Sequence, residues 1–596
     1  MNTALTPTKA NYRQRFLFWA ILIFAFIIRF VNIADIPTGI NQDEAMAAMD
    51  AWALSKYGTD RYGMQWPVHF QAWRYGQMSV LLSYCMIPFI KLFGFSTFAV
   101  RIPMVLASTA GIALVYLIAR KFFTANLSLA VMAFAAINPW QFMQSRWSLD
   151  CNLFPHIFLL GFYLLLCGLE KRKYLYLSMV FFGLTFYCYG IAVYSVPVFL
   201  FVYAAWCLWK KELAFREILL SVCIFFAVAL PEILTMFINM FGLPTIETPL
   251  FTIPFFPESI RSNDILFLNF SFYQLGRNAL SMLKQAFLQK PDYLFNALPN
   301  FGPLYHISTP FMFLGIWQFG KRFLFPQSIS PVVKSTTKAS KKRSKAKKLH
   351  PLQELFCTRN TTRQQTLDLA LLGFFLMGIW VGLLTFEVNV NRINIIFYPL
   401  MFFTVYGITT FIQWLAKWID KILQHFKKKT ALTRRVLTAG FLTGYCILSI
   451  NFFTQYFRSF PTEIRTMFNV DFLSIIKEAD ELEDYDTLYV SSNMGWQTNY
   501  RMAEILTQYS CQIDALYYQE KSNETGGRTL LPYSERYHFV DIWRENSVDT
   551  DALYVIHKDD LKHIQTTFAK SYDVILTCGD FLAIDLESAK ESFVTK

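Results

Sequence analysis

The sequence predicts a polytopic α-helical membrane protein with a small α/β domain after its last span. Of the 596 residues, 54% are hydrophobic and only 16% are charged, whereas a soluble globular domain carries about 25% charged residues. The apolar residues occur in blocks of membrane-crossing length, repeated along the chain and separated by short polar or basic joints. The 61 Phe, 30 Tyr and 14 Trp residues suit lipid-facing helices with aromatic belts.

About eleven apolar blocks are predicted to be membrane spans. The first follows a basic segment, residues 1–15, and has no small-residue cleavage site after it, so it is interpreted as a retained span and not a signal peptide. The apolar run 79–93 is shorter and contains Pro88, which favours a helix at the membrane interface. The predicted spans are 16–33, 98–123, 127–143, 152–169, 174–190, 193–209, 218–240, 304–319, 367–386, 395–415 and 436–453.

Basic residues predict which joints face the cytoplasm. Every second joint is rich in Lys and Arg, and the positive-inside rule then puts these joints and the N-terminus on the cytoplasmic side of the cell membrane. The net charge of +13 follows from this topology, and no nucleic-acid partner is expected. The longest joint contains a low-complexity basic stretch, which predicts a disordered loop attracted to anionic lipid. The basic joints are Arg120–Lys121, Glu170–Lys173, Lys210–Lys211, 321–365 and Lys417–Arg435.

This topology places three regions on the outer side of the membrane, two of them within the transmembrane module 16–455. Two are loops, 34–97 and 241–303, and the third is the tail 456–596. The tail combines a helix-like stretch at 471–483 with short strand-like runs at 487–491, 553–557 and 574–576, which predicts a small extracytoplasmic α/β domain. Cys511 and Cys578 are the two cysteines of this tail, and the sequence leaves open whether they form a disulfide.

Acidic and guanidinium side chains gather at the joints predicted to face outward. Charged residues near bilayer depth are costly and usually face a cavity or a partner. An adjacent acid pair also caps helices, and an Arg and an Asp near one helix end also form structural ion pairs, so a structural interpretation stays open for both sets. The residues are Arg29 near the outer end of the first span, Asp43 and Glu44 in NQDEAMAAMDAW, Arg74 in AWRYGQ, Arg146 and Asp150 in SRWSLDCN, and Arg392 in NVNRINIIFYP.

These motifs and their order resemble the GT-C glycosyltransferases. The shared features are the Asp-Glu pair directly after the first span, the stretch LFGFSTFAVRIP that ends the first loop, the SR-x(3)-D motif after the third span, and the late R-x(5)-YP motif. The branch that the chain resembles most is that of the protein O-mannosyltransferases and aminoarabinose transferases. The resemblance covers residues 10–410 and is strongest over 35–150.

The resemblance implies a membrane glycosyltransferase that takes its sugar from a polyprenyl-phosphate donor. Asp43 matches the catalytic acid of the family and would remove a proton from the acceptor hydroxyl in a single inverting step. Glu44 is expected to assist as the second acid of the pair, orienting its neighbour or the following helix. Asp150 matches a further acid that orients the acceptor, tunes a basic neighbour or helps to hold a divalent ion. The residues expected to bind substrate or phosphate are Arg74, Arg146, Arg392 and Tyr398.

For the cofactor and the acceptor, the sequence leaves several alternatives open. Asp43 and Asp150 are the predicted oxygen ligands if the enzyme uses a divalent cation such as Mg²⁺ or Mn²⁺. His69, His156 and His306 show no metal-binding spacing and are expected to be packing residues. The acceptor is a glycan, a lipid or a protein hydroxyl. The alternative functions are a transporter or flippase of a lipid-linked saccharide, a glycan polymerase or ligase, and a non-catalytic lipid-glycan binding protein.

Overall fold

The structure is a computed structural model that describes residues 11–73, 77–257, 271–325, 361–385, 387–422, 430–544, 551–567 and 572–586. Its N-terminal part consists almost entirely of helices. These are α1 (Tyr12–Phe30), α2 (Gln42–Tyr57), α3 (Leu81–Phe93), α4 (Thr97–Phe122), α5 (Ala125–Ala136), α6 (Pro139–Met143), α7 (Asp150–Gly168), α8 (Arg172–Leu184), α9 (Ala192–Trp209), α10 (Phe215–Phe241), α11 (Phe272–Met282), α12 (Thr309–Leu324), α13 (Thr361–Leu384), α14 (Phe397–Ile422) and α15 (Thr430–Arg458).

The remaining helices are short and follow α15. They are α16 (Phe460–Glu463), α17 (Val470–Asp480), α18 (Tyr500–Ser510), α19 (Ala515–Tyr518), α20 (Tyr533–Arg536) and α21 (Leu561–Thr567). The strands are β1 (His69–Phe70), β2 (Met78–Ser79), β3 (Ile246–Glu247), β4 (Thr252–Ile253), β5 (Leu488–Ser491), β6 (Glu524–Thr525), β7 (Arg528–Thr529), β8 (Tyr537–Val540), β9 (Leu553–His557), β10 (Asp573–Cys578) and β11 (Phe581–Asp585).

The prediction of a multi-pass membrane protein is confirmed. Among the described residues, seven helices are long and apolar enough to cross a bilayer: α4, α7, α9, α10, α13, α14 and α15. Each of the other predicted spans overlaps a helix that is shorter or carries more charge, so the count of about eleven stays a prediction. The run 79–93 forms the 13-residue helix α3, which is shorter than the roughly 20 residues of a full crossing.

Two predicted spans are not continuous helices. The span 127–143 is broken at Asn138, whose side chain accepts a hydrogen bond from the backbone N–H of Gln141 and so begins the separate helix α6. Pro139 at the first position of α6 prevents α5 from continuing, because proline has no N–H to donate. The span 174–190 ends its α-helix at Leu184 and continues as a short 3₁₀ turn. The predicted disordered segment of the 321–365 loop lies mainly outside the described residues.

The tail contains a five-stranded mixed sheet in the order β10-β11-β9-β5-β8. Strand β5 is parallel to both β8 and β9, whereas β11 is antiparallel to β9 and β10. The strand-like runs seen in the sequence coincide with β5, β9 and part of β10, and the helix-like stretch coincides with α17. Cys511 and Cys578 are both free thiols in the structure.

The tail packs on the first outer loop. Gly39 has φ +79°, and a Cβ atom at this position would lie 2.2 Å from the carbonyl oxygen of Phe468, so only glycine permits this close approach. The adjacent backbone N–H of Ile40 donates to the same carbonyl at 3.0 Å. Farther along, Lys56 forms an ion pair with Asp514 at 2.9 Å. One continuous cluster of buried apolar residues joins the helices of the transmembrane module to the tail.

Candidate active site

Helix α2 carries Asp43 in its first turn. The side chain of Asn41 accepts a hydrogen bond from the backbone N–H of Asp43 at 3.0 Å and so caps the helix. Asp43 is partly exposed, and its carboxylate accepts a hydrogen bond from the indole N–H of Trp73. A carboxylate in the first turn also interacts favourably with the positive end of the helix. Asp43 is therefore held in an oriented position without being removed from solvent.

Two other predicted site residues share the surroundings of Asp43. Asp150 is the first residue of α7, and its carboxylate accepts a hydrogen bond from the backbone N–H of Cys151 at 2.6 Å. Asp43 and Arg392 both lie within electrostatic range of the side chain of Cys151, which follows Asp150 in α7. Three segments that are far apart in the sequence therefore bring two carboxylates and one guanidinium group to the same end of α7.

The loop that carries Arg392 is fixed to this end of α7. The side-chain amide of Asn394, which is fully buried, donates to the carbonyl oxygen of Cys151 at 2.6 Å. On the opposite side of the loop, the carboxylate of Asp292 accepts from the backbone N–H of Val390 at 2.8 Å. Arg392 itself is partly exposed, and its guanidinium donates to the carbonyl oxygen of Glu387 at 2.9 Å.

Glu44 has a different environment from that of Asp43. Its side chain is fully buried, and its two carboxylate oxygens accept from Nε and Nη2 of Arg101 at 2.9 and 3.0 Å. Oε1 also accepts from the backbone N–H of Ser148 at 2.8 Å. The catalytic role predicted for Glu44 does not fit this environment, because its carboxylate is enclosed and bound on both oxygens. The pair instead fixes α2 against α4 and the loop before α7.

Arg146 was expected to bind phosphate, and its surroundings do not fit that role. The guanidinium is fully buried and donates to the carbonyl oxygens that end α1 and begin the first outer loop, at 2.8–3.1 Å. The last carbonyls of a helix have no partner within the helix, so Arg146 supplies donors that they need. These carbonyls belong to Ile28, Arg29, Val31, Asn32 and Ile36.

Tyr398 and Arg29 belong to the interior of the helix bundle. The hydroxyl of Tyr398 is fully buried and lies 3.0 Å from Nδ1 of His156. The guanidinium of Arg29, also fully buried, donates to the carbonyl oxygens of Ala25 and Ala136 at 3.0 Å and to the side chain of Gln141. Substrate contact by Tyr398 therefore does not fit the structure, because its ring and hydroxyl are enclosed by neighbouring helices.

The other predicted residues are Arg74 and two histidines. Arg74 lies outside the described residues. His69 is buried against Glu232 of α10, with 2.8 Å between Nδ1 and Oε1. His306 lies 2.9 Å from the carbonyl oxygen of Pro299. Each of these two histidines, like His156, has a partner within the protein.

The described part of the chain contains no group of three or more His, Cys, Asp or Glu residues arranged to hold a metal ion. The carboxylates of Asp43 and Asp150 nevertheless are oxygen ligands of the kind that Mg²⁺ binds. Magnesium is commonly bound by one or two carboxylates together with substrate phosphates and water. The two acids thus fit a substrate-associated Mg²⁺ or Mn²⁺ better than a resident metal with a full set of protein ligands.

Trp73 connects the site to a polar cavity of about 200 Å³ at the contact between the first outer loop and α18. The cavity contains the buried guanidinium of Arg61, which forms an ion pair with Asp50 of α2 at 3.1 Å. Burial raises the pKa of Asp50 against the opposing effect of Arg61. Burial, followed by the charge of Asp50, raises the pKa of Asp60 to about 7.

Comparison with protein families gives a match at the centre of the transmembrane module. Residues 78–234 match the family model described as dolichyl-phosphate-mannose-protein mannosyltransferase. This segment includes Asp150 and Arg101, and the fold around it is that of a solved relative described below. Over this segment the chain is similar to that protein mannosyltransferase family. No curated protein sequence matches the chain significantly.

Two solved structures of ArnT share the fold of this chain. ArnT from Cupriavidus metallidurans bound to undecaprenyl phosphate is 12% identical with a TM-score of 0.53, and the alignment covers 96% of this chain and 98% of ArnT. ArnT in the apo state also gives 0.53, at 11% identity and the same coverage. The Archaeoglobus fulgidus oligosaccharyltransferase in the apo form is 10% identical with a TM-score of 0.47, covering 92% of this chain and 70% of the other.

The sequence motifs did not reveal every residue that builds the candidate site. Trp73 precedes Arg74 in AWRYGQ, and Arg101 stands in the stretch LFGFSTFAVRIP, so both lay in motifs already noted. A role for Arg101 was detectable, because an Arg inside an apolar helix needs an acidic partner. Trp73 gave no such signal, since an aromatic residue at the membrane interface is common.

Proposed function

We propose that this protein is a membrane glycosyltransferase that moves a sugar from a polyprenyl-phosphate carrier to a hydroxyl group of an acceptor on the outer face of the membrane. The observation that carries the proposal is the convergence of Asp43, Asp150 and Arg392 around Cys151 at one end of α7. The matched ArnT structure contains undecaprenyl phosphate, which supports a donor of the same lipid class. The proposal includes an extracytoplasmic position for the tail and a cytoplasmic N-terminus.

Asp43 is the proposed general base. The acceptor oxygen attacks the anomeric carbon, its proton passes to the carboxylate of Asp43, and the bond between the anomeric carbon and the phosphate oxygen breaks. The products are the glycosylated acceptor and free polyprenyl phosphate. One direct displacement inverts the anomeric configuration. The hydrogen bond from Trp73 supports this role, because it fixes the carboxylate in one orientation.

Arg392 is proposed to stabilise the departing phosphate. Negative charge grows on the phosphate oxygens as the sugar leaves, and a guanidinium group already in position stabilises that charge without reorganisation. Partial exposure and the anchoring of its loop by Asn394 support this role. Arg74 remains a second proposed phosphate ligand from the sequence motif. Asp150 is proposed to orient the acceptor or, with Asp43, to bind a divalent cation that neutralises the phosphate.

The test uses the purified full chain with a radiolabelled polyprenyl-phosphate sugar and native membranes as the acceptor source. We expect the wild type to transfer label, and Asp43→Asn to lose at least about a hundredfold in rate, because general base catalysis contributes about 10²–10⁴-fold. Asp35→Asn is the matched control, since Asp35 is an exposed acid of the same outer loop. It should retain full activity.

The same preparation distinguishes the rival functions. In sealed vesicles, movement of labelled lipid across the bilayer that persists in Asp43→Asn, without any labelled product, would identify a flippase or transporter and contradict the proposal. Adding EDTA and then Mg²⁺ or Mn²⁺ tests the metal: a rate that falls on chelation and returns with the cation supports a divalent ion, and an unchanged rate contradicts it.

A further inference from the structure

The polar cavity beside Trp73 lies between two parts of the chain that are more than 400 residues apart. On one side it is lined by residues of the first outer loop, and on the other by α18 of the tail. Its volume of about 200 Å³ is below the roughly 300–1,000 Å³ of pockets for drug-sized ligands, so it suits one small ring-sized group. The lining residues used below are Arg61, Gln71, Trp73, Arg501, Glu504 and Gln508.

The charges of the cavity are balanced. Arg61 is neutralised by its ion pair with Asp50, and the remaining charged residues, Arg501 and Glu504, have opposite signs. A site for a phosphate group or an acidic polymer would need surplus positive charge, which the described residues of the lining do not provide. The occupant that this balance fits is an uncharged molecule.

The lining offers hydrogen-bond partners of both kinds together with aromatic rings. The amide groups of Gln71 and Gln508 contain a donor and an acceptor each, Arg501 is a donor, and the carboxylate of Glu504 is an acceptor. Glu504 is oriented by the hydroxyl of Tyr533, which donates to it at 3.3 Å. A neutral group with several hydroxyls, each both donor and acceptor, matches such a lining, and an apolar group does not.

The cavity is one side chain away from the proposed general base. Trp73 lines the cavity and donates its indole N–H to the carboxylate of Asp43. Helix α2 provides a second connection, because Asp43 is in its first turn and Asp50, seven residues later, binds Arg61 of the cavity. Residues seven apart lie on the same face of a helix. A group bound in the cavity is thus connected to the proposed general base both through Trp73 and through α2.

We infer that this cavity binds a neutral sugar unit of the acceptor, so that the acceptor of the reaction is a saccharide. The inference rests on the proposed function for the identity of the reaction, but the binding of a sugar unit is measurable without any transfer. The tail contributes Arg501, Glu504 and Gln508, and it therefore takes part in choosing the acceptor.

Binding is tested on the detergent-solubilised full chain by saturation-transfer NMR. The probes are the methyl glycosides of glucose, galactose and mannose, and the comparison probes are a Ser/Thr-containing hexapeptide and inorganic phosphate. We expect saturation of at least one glycoside and about a tenfold weaker affinity in Arg501→Ala and in Glu504→Gln, since each removes a hydrogen bond to a charged group. Glu504→Gln keeps the shape of the side chain. Arg465→Ala, an ion-paired Arg of the tail outside the cavity, is the matched control.

The outcomes separate this inference from the proposed function. Glycoside binding that is equal in wild type, Arg501→Ala and Glu504→Gln overturns the saccharide site, even if the wild type transfers sugar. Binding of the peptide or of phosphate that depends on these residues, without glycoside binding, also overturns it. If glycosides bind in the expected way but no labelled polyprenyl-phosphate sugar is consumed by the wild type, the proposed function fails and the sugar site stands.

Discussion

Two arginines that the sequence motifs group together have opposite environments. Arg146 is fully buried, and its guanidinium donates to backbone carbonyls at the end of α1. Arg392 is partly exposed in a loop, and its guanidinium donates to the carbonyl oxygen of Glu387. The adjacent acids Asp43 and Glu44 differ in the same way. A charged residue near bilayer depth can support the fold or act on a substrate, and burial together with the number of protein partners distinguishes the two.

The largest effect on stability is expected when the buried ion pair between Glu44 and Arg101 is broken. Glu44→Gln leaves Arg101 as a buried charge without its acid, and breaking a buried ion pair costs about 3–5 kcal/mol. We expect a strong fall in the yield of folded protein and in its Tm in detergent. Asp43→Asn, one residue away, should leave the Tm nearly unchanged. A Glu44→Gln protein with the wild-type Tm and no transfer would show that Glu44 is catalytic after all.

Substitution of Arg392 is expected to change the transfer rate and not the stability of the fold. Arg392→Ala should lower the rate of transfer by about 10²–10³-fold, the effect of removing one donor that stabilises charge in the transition state. Its Tm should remain close to that of the wild type. Arg392→Lys keeps the charge but loses the planar fork, so its loss should be smaller, about tenfold. Measuring the transfer rate and the Tm of both variants tests whether Arg392 acts on the substrate and not on folding. A wild-type rate in Arg392→Ala would show that Arg392 is not part of the site.

The last effect is a dependence of stability on pH. Because the folded-state pKa of Asp60 is raised to about 7 from an ordinary value of 3.8, the folded protein binds more protons than the unfolded chain between these values. Stability should therefore fall as pH rises from about 4 to 7, by at most about 1.4 kcal/mol per pH unit. Asp60→Asn keeps an acceptor for the N–H groups of Tyr62 and Met64 and should flatten the slope of Tm against pH. An equal slope in the variant would contradict the assignment.

The sequence predicted the membrane helices well and the site in part. Apolar blocks predict helices because the bilayer requires every backbone group to be paired within the chain. The grouping of Asp43, Asp150 and Arg392 in one site stays a prediction, which their shared nearness to Cys151 supports. The environments of Glu44, Arg146 and Tyr398 were not predictable, because a motif gives the residue type but not how many partners the folded chain supplies. The cavity was missed since it forms only when α18 meets the first outer loop.

Helix α2 fixes the distance between the proposed general base and the polar cavity. From Asp43 to Asp50 the axial rise is about 10 Å, at 1.5 Å per residue, and neither end can shift without the other. Inserting a single alanine between them would turn one acid by about 100° relative to its counterpart. The length of α2 between Asp43 and Asp50 therefore determines how far a bound acceptor can extend and still place its hydroxyl at the proposed base.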